Sequence, residues 1–248
     1  METVFEYTKA MQDIELSYCP GCSHGISHRL IMEVLEEEGL LGNSIGVSPI
    51  GCSVIAHKYM SVDMCENAHG RAPATATGIK RVHPDATVFT YQGDGDLASI
   101  GMAEIVHAAH RGEKFCTFFI NNAIYGMTSG QMAPTTLIGQ KTTTTAKGRS
   151  KAAEGMPIRV SELIATIDGA VYVERVSLDS PANVRKAKKA VQRAFEVQEK
   201  QLGFAFVEML STCPTNWGLS PVNALNWVKT ELQDYYPLGI LKCPEEVK

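Results

Sequence analysis

The run "ATVFTYQGDGDLASIGMAEIVHAAHRGEKFCTFFINNAIYG" (86–126) constrains the chain more than any other stretch. "ATVFTYQ" is a strand, "LASIGMAEIVHAAHRG" carries a helical pattern, and "KFCTFFINN" is a nearly continuous apolar run, as a central parallel strand buried on both faces requires. A strand, helix and strand in this order close a right-handed crossover onto a parallel neighbour. Asp94 falls just after the first strand and Asn122 just after the second. Both therefore stand at the carboxyl edge of neighbouring strands, where open α/β sheets bind ligands.

The remaining sequence extends the same alternation. "GISHRLIMEVLEEEG" sets Ile26, Leu30 and Val34 on one stripe, with Gly39 as a C-terminal stop. "AVYVERV" and "GFAFVEML" read as two more strands. Between them, Ser180 and Pro181 form the N-cap and first turn of a helix in which Val184, Ala187, Val191 and Phe195 recur at helical spacing. Alternation of this kind predicts an α/β fold with a mostly parallel sheet covered by helices on both faces. Over 248 residues, with 44% hydrophobic and 20% charged, we find no repeat and no linker. A single domain over 1–248 is expected, with an N-terminal Cys-x-x-Cys segment and one long loop over 125–159. That loop is rich in Gly, Thr and Pro and has no apolar period. Its Thr run alone favours disorder, whereas its place directly after the asparagines favours a segment that covers a ligand.

A formal net charge of -4 and the lack of a long like-charge run give no general attraction to nucleic acid or an anionic membrane. No apolar run reaches the length of a membrane span, and "METVFEYTKAMQDIELSYCPGC" lacks the basic-then-apolar order of a signal peptide. A cytoplasmic protein is expected. In that compartment the seven cysteines are not disulfide staples, so each is a small core residue or a metal or redox ligand.

At the sheet edge, Gly93 and Gly95 let the backbone approach a bulky anion, and the following helix turns its positive end there. Asp94 and Asn122 offer hard oxygens that suit Mg²⁺ with a diphosphate completing its octahedron. Two plainer readings compete. Gly-Asp-Gly makes a good tight turn, but a turn does not account for the asparagines that follow. A calcium loop beginning at Asp94 needs a bidentate Glu at its twelfth position, and Ile105 stands there. Cys19 and Cys22 form a Cys-x-x-Cys, with Cys52 and Cys213 alone in loops; from spacing, zinc, a thiol redox pair and an iron–sulfur cluster all remain open. "CPGCSH" misses a c-type haem site because Ser23 stands where His is needed. Cys116 belongs to a core strand, Cys65 and Cys243 lack partner spacing, and His28, His107 and His110 read as structural or helix-face residues.

The stretches "YCPGCSHG", "IGCSV", "AHGRAPATATGIKR", "GDGDLASIG", "INNAIYGMTSGQMAPTT" and "STCPTN", in this order, resemble the β subunit of 2-oxoacid:ferredoxin oxidoreductases nearly end to end. The resemblance implies a thiamine-diphosphate-binding fold, its diphosphate-binding module, in a hetero-oligomeric oxidoreductase of anaerobic metabolism. It implies Mg²⁺ held by Asp94, Asn122 and the main-chain carbonyl of Ile124. Contacts to thiamine diphosphate would come from Ile50, Gly51, Cys52, Ser53, His69, Gly95, Asp96, Gly126 and Met127. Cys19, Cys22, Cys52 and Cys213 would ligate one 4Fe–4S cluster, which suits the chemistry: decarboxylation on thiamine leaves an electron-rich carbon that a nearby one-electron carrier can drain. The Glu that activates the aminopyrimidine would stand on a partner chain. Partners would be an α subunit, alone or with γ and δ subunits, and ferredoxin, with a 2-oxo acid and CoA as substrates. The alternatives are a non-oxidative thiamine-diphosphate decarboxylase subunit, which needs no electron outlet, and an iron–sulfur or zinc electron-transfer or scaffold protein.

For the substrate pocket the candidates are Ile55, Met127 and Arg71. In relatives that act on 2-oxoglutarate, a basic side chain shortly after "GCS" can meet the distal carboxylate; here Val54, Ile55 and Ala56 follow. A desolvated anion needs a paired cation. An apolar wall therefore favours branched-chain 2-oxo acids, with 2-oxoglutarate next, and His57, Lys58 or a partner's Arg as alternative sources of the charge.

Overall fold

Seven strands form one sheet in the computed structural model, which describes residues 6–247. The first five residues and Lys248, which the single-domain expectation also took in, lie outside the described residues. The strands are β1 (Ser44–Ser48), β2 (Asp63–Glu66), β3 (Thr87–Gly93), β4 (Cys116–Asn121), β5 (Ala170–Ser177), β6 (Phe204–Leu210) and β7 (Gly239–Lys242). Their order is β2-β1-β3-β4-β6-β5-β7, parallel throughout except for β7 against β5. The chain runs outward from β1 to β2, then returns to the other side of β1 as β3. That reversal opens a crevice at the carboxyl ends of β1 and β3.

The four strands expected from sequence are β3, β4, β5 and β6. β1, β2 and β7 were not expected, and the reason is length and setting. β1 has five residues, and β2 and β7 have four each and lie half-exposed or exposed at the two sheet edges. None has room for a continuous apolar run or a clear alternation.

Helices α1 (His24–Glu37) and α6 (Pro181–Glu199) cover one face; α2 (Ala72–Val82), α3 (Met102–His110) and α5 (Val160–Ala165) cover the other, and α4 (Lys151–Glu154) is a single turn within the long loop. On β4, Phe118 and Ile120 join the α1/α6 core while Phe119 joins the α2/α3/α5 core, so the strand is apolar on both sides. Burying each such side chain stabilises the fold by about 1.5–3 kcal/mol. Gly39, just past the end of α1 at Glu37, has a φ of 70° that suits glycine. At the N-terminus of α6, Ser180 accepts from Asn183 N, and Pro181 stands at the first helical position. Among the described residues no helix is long and apolar enough to cross a membrane.

The helix expected over 97–112 is interrupted. Asp96–Ile100 forms a π-helical turn, closed by Gly101 N donating to Asp96 O at 2.7 Å, before α3 begins. A side chain on Gly101 would meet the Gly70 carbonyl at 2.7 Å, so the "HGR" loop and this turn touch backbone to backbone. Such single π turns recur at functional sites.

The 125–159 loop is irregular, as its sequence implies, but its Thr-rich part is packed. Thr135 and Thr136 are fully buried, and Thr142 and Thr145 nearly so. Arg149 gathers it by donating to the carbonyls of Pro134 (2.9 Å), Thr136 (2.6 Å), Gly155 (3.0 Å) and Met156 (2.9 Å). Tyr125–Thr128 reach the crevice, while residues 133–149 lie behind it as a support.

Candidate active site

At the carboxyl ends of β1, β3 and β4 lies a cavity of about 250 Å³. Ile50, Gly51, Cys52, Ser53, His69, Asp94, Gly95, Asp96, Asn122, Ile124, Gly126 and Met127 all line it, so each cofactor and Mg²⁺ candidate from the sequence comes to one place.

Asp94 is 3% exposed. Burial pushes its carboxyl up to about 7, against hydrogen bonds from the Thr135 hydroxyl (2.8 Å), Gly95 N (2.9 Å) and Ile124 N (3.1 Å) that favour the charged form. Such a carboxylate is poised for a cation. Asn122 Oδ1 accepts from Ile124 N at 3.3 Å, and Ala123 between them has a φ of 55°. This tight turn places the Asn122 amide beside the Asp94 carboxylate, which fits the hard-oxygen donor set of Mg²⁺. The Ser53 hydroxyl, buried in the lining, has no hydrogen-bond partner among the described residues. A bound polar ligand would satisfy it.

Asp96 serves the cavity through a neighbour. Its Oδ1 accepts from Gly70 N at 2.5 Å and pairs with His69 Nδ1 at 2.5 Å, and its Oδ2 accepts from Gln92 Nε2 at 2.6 Å. Burial raises this carboxyl while Gln92 and His69 pull it down. With three partners the carboxylate is a poor direct ligand, but it fixes the His69 ring.

The four candidate cysteines come from three segments. Cys19 and Cys22 bracket a turn before α1, Cys52 opens a 3-10 turn after β1, and Cys213 follows β6. Thr212 ties two of these segments together, its hydroxyl donating to Gly21 O (2.6 Å) and its N–H to Ser23 Oγ (3.2 Å). The thiols of Cys52 and Cys213 lie 3.4 and 3.5 Å from where a side chain on Gly126 would begin. Asn216 Nδ2 donates to Cys213 Sγ at 3.2 Å and to Gly126 O at 2.9 Å. Burial pushes the Cys22 thiol up to about 12 and Cys52 up to about 11; Cys213 and Cys19 add to both rises. The four thiols thus feel one another. Among the described residues no three His, Cys, Asp or Glu side chains converge tightly enough for a single ion. Four thiols are the donor set of an iron–sulfur cluster and of a structural zinc site alike.

Two substrate-pocket candidates fall outside the lining. Ile55 packs half-buried against the core on the α1 side, and Arg71 is paired with Glu104 of α3. The apolar lining comes instead from Ile50, Ile100 and Met127, 39–48% exposed. Cys116 is buried in β4, donating to Ala194 O, and His107 and His110 are exposed on α3. His28 is buried among Tyr18, Tyr59 and Tyr91. Sequence reasoning gave no role to His24 or Thr135. His24 lines the cavity, with Nδ1 2.6 Å from the Tyr91 hydroxyl, and burial pushes it down to about 4. Both residues sit inside stretches that carried the resemblance, "YCPGCSHG" and "QMAPTT", which was the available signal.

The fold and the cavity define a thiamine-diphosphate-binding module, and the comparisons with known proteins agree. The family model described as thiamine pyrophosphate enzyme, C-terminal TPP binding domain, matches residues 49–209. The chain is 46% identical to the ketoisovalerate oxidoreductase subunit VorA of Methanothermobacter thermautotrophicus over 96% of its own length, and spans about half, 50%, of that relative. It is 39% identical to the 2-oxoglutarate synthase subunit KorB of Methanocaldococcus jannaschii over 81% of this chain and 70% of that one. The solved 2-oxoglutarate:ferredoxin oxidoreductase from Magnetococcus marinus superposes with a TM-score of 0.80 at 24% identity, covering 98% of this chain and 86% of that chain, and shows the shared fold. The chain belongs to the thiamine pyrophosphate enzyme family and, within it, to the subunits of 2-oxoacid:ferredoxin oxidoreductases.

Proposed function

We propose that the chain is the thiamine-diphosphate-binding β subunit of a CoA-dependent 2-oxoacid:ferredoxin oxidoreductase, acting as one diphosphate-binding module and converting a branched-chain 2-oxo acid to its acyl-CoA. One observation carries the reading. Cys52 lines the same cavity as Asp94 and Asn122, while its thiol adjoins that of Cys213 beside Gly126. A single residue thus belongs to both the cofactor cradle and the cysteine group. Oxidative chemistry needs that adjacency to move electrons away, and non-oxidative decarboxylation does not.

Thiamine diphosphate, when bound, supplies the electron sink for loss of carbon dioxide. The residues of this chain do the holding. Asp94, Asn122 and the Ile124 carbonyl would hold Mg²⁺ for the diphosphate, in a buried setting that would strengthen each contact. The Ile50–Ser53 turn, Gly95, Gly126, Met127 and an Asp96-oriented His69 seat the cofactor. Cys19, Cys22, Cys52 and Cys213, as thiolates, would hold one 4Fe–4S cluster, which would supply a one-electron outlet toward ferredoxin. The activating carboxylate is assigned to a partner α subunit, in keeping with a lining that holds no glutamate among the described residues. The exposed Ile50, Ile100 and Met127 at the cavity suit cover by that partner. We place the assembly in the cytoplasm.

Support for a branched-chain substrate is twofold. The cavity lining includes apolar Ile50, Ile100 and Met127 and no Lys or Arg among the described residues, which would leave a second carboxylate unpaired. The relative named for ketoisovalerate is also the more similar of the two, at 46% against 39% identity. The relative named for 2-oxoglutarate makes that acid the second reading.

The test is anaerobic purification of the chain with its partner subunits, followed by cofactor and metal analysis and turnover with 2-oxoisovalerate, CoA and ferredoxin. Bound thiamine diphosphate, iron and CoA-dependent ferredoxin reduction are expected. Thiamine diphosphate without iron would favour a non-oxidative decarboxylase; iron or zinc without the cofactor would favour an electron-transfer or scaffold protein.

A further inference from the structure

Both arms of the Asp94/Asn122 site lead back, through buried side chains, to Arg175. This residue stands on β5, two strands away from β4, and its side chain is fully buried. Arg175 Nε donates to Glu208 Oε2 at 2.8 Å; Glu208, on β6, is also fully buried. Glu208 Oε1 accepts from Asn121 Nδ2 at 2.7 Å, and Oε2 accepts from the Ser161 hydroxyl. Asn121 Oδ1 in turn accepts from Ala123 N at 3.1 Å. That bond holds Ala123 in the left-handed region, which a side chain normally avoids, and the turn so formed sets where Asn122 and Ile124 lie.

The second arm begins at the same guanidinium. It lies over the Tyr236 ring, 5.3 Å from the centroid. Tyr236 donates its hydroxyl hydrogen to Thr135 O at 2.8 Å, and the Thr135 hydroxyl donates to Asp94 Oδ2 at 2.8 Å. Outward, Arg175 reaches Glu162 (2.9 and 2.5 Å) and Pro237 O (3.1 Å).

A buried ion pair is poor evidence for stability, because apolar residues of similar volume often serve as well or better. Here the charged pair does something an apolar pair could not: one carboxylate accepts from Asn121 and Arg175 at once. We propose that Arg175 is a positioning residue for the divalent-cation end of the crevice, fixing the Asn121–Ile124 turn through Glu208 and Asp94 through Tyr236 and Thr135. The inference rests on the proposed Mg²⁺–diphosphate site.

The experiment uses the assembled complex, depleted of metal and cofactor, with Mg²⁺ titrated at saturating thiamine diphosphate and bound cofactor measured by equilibrium dialysis. Melting of the cofactor-free complex is recorded beside it. Arg175→Met raises the Mg²⁺ half-saturation by about tenfold or more, the usual scale for groups that orient metal ligands. Arg175→Lys, which keeps the charge but not the fork, lies between it and the native protein. Glu162→Gln removes the outward pair only; it lowers the melting temperature and leaves the half-saturation within about twofold. Asn121→Ser, which cuts the tether where it meets the turn, reproduces the Arg175→Met effect and decides the matter if Arg175→Met does not assemble. A Mg²⁺ half-saturation within about twofold of native in Arg175→Met or Asn121→Ser overturns the proposal, as does an equal shift in Glu162→Gln. If the native complex retains thiamine diphosphate without any divalent ion, the underlying Mg²⁺ reading fails instead, a separate and recognisable result.

Discussion

The crevice at Asp94 and the cysteine group at Cys213 are neighbours built in different ways. Asp94, Asn122 and Ile124 sit at the ends of two central strands, and a web of hydrogen bonds fixes their polar atoms before any ligand arrives. The cysteines lie on three segments outside the strands, with Cys19 exposed, Cys22 and Cys52 half-buried and Cys213 buried. Burial, together with the neighbouring thiols, holds Cys22 and Cys52 high in the protonated range. On the proposed reading the crevice is preorganised for a cation, whereas the cysteine group would need iron to lower the thiols and draw the segments together. Preorganisation predicts loss of ligand without loss of fold on one side, and dependence of local order on the metal on the other.

The largest expected effect lies on the crevice side. Asp94→Ala removes the carboxylate proposed to hold Mg²⁺ for the diphosphate and should weaken retention of thiamine diphosphate by about 3 kcal/mol or more, over 100-fold. Near-normal melting of the cofactor-free protein is expected beside it. Retention at native affinity would break the comparison at its stronger end.

Next is the cysteine side. Cys213→Ser should remove most bound iron from anaerobically purified complex and raise the protease sensitivity of the Cys19–Cys22 segment, while Cys116→Ser leaves iron unchanged. Iron indifferent to Cys213 would require a different fourth ligand.

A smaller effect sharpens the contrast. Thr135→Val removes one donor to the buried Asp94 carboxylate and should weaken Mg²⁺ binding by about 1.5–3 kcal/mol, roughly tenfold or more. Iron content should not change. If iron falls as well, the two regions are one cooperative unit.

The smallest effect concerns specificity. Met127 is 48% exposed in the lining, so a cation placed there by Met127→Lys meets a distal carboxylate in a partly solvated setting. We expect the ratio of kcat/KM for 2-oxoglutarate over 2-oxoisovalerate to rise about fivefold. An unchanged ratio would put the specificity contacts on the partner chain.

The same contrast explains what the sequence revealed. β3, α3 and β4 announce themselves because a central parallel strand must be apolar on both faces, and their ends carry Asp94 and Asn122 by construction. The edge strands β2 and β7 are too short and exposed for any such signal. Roles carried by tertiary contacts were also hidden. Thr135 reaches Asp94 because the long loop folds back beneath the crevice, where Arg149 and Tyr236 hold it. Arg71, plausible as a pocket residue from its motif, is taken by Glu104 on a helix that follows later in the chain. Asp96 of "GDGD" lines the crevice, and the motif did not show that its oxygens meet His69, Gly70 and Gln92. Spacing brought forward the Cys19–Cys22 pair and the resemblance added Cys52 and Cys213, but neither showed that Thr212 pins the Cys19–Cys22 segment to the Cys213 loop.

The central claim is that the crevice and the cysteine group are two halves of one oxidative site, and rapid anaerobic spectroscopy tests it most directly. 2-Oxoisovalerate and CoA are mixed with the native complex and with Asp94→Ala while visible iron–sulfur absorption is followed. The native absorption should bleach, and that of Asp94→Ala should persist with substrate yet bleach with dithionite. Equal bleaching by substrate in both proteins, or none in the native complex replete with thiamine diphosphate, would contradict the account.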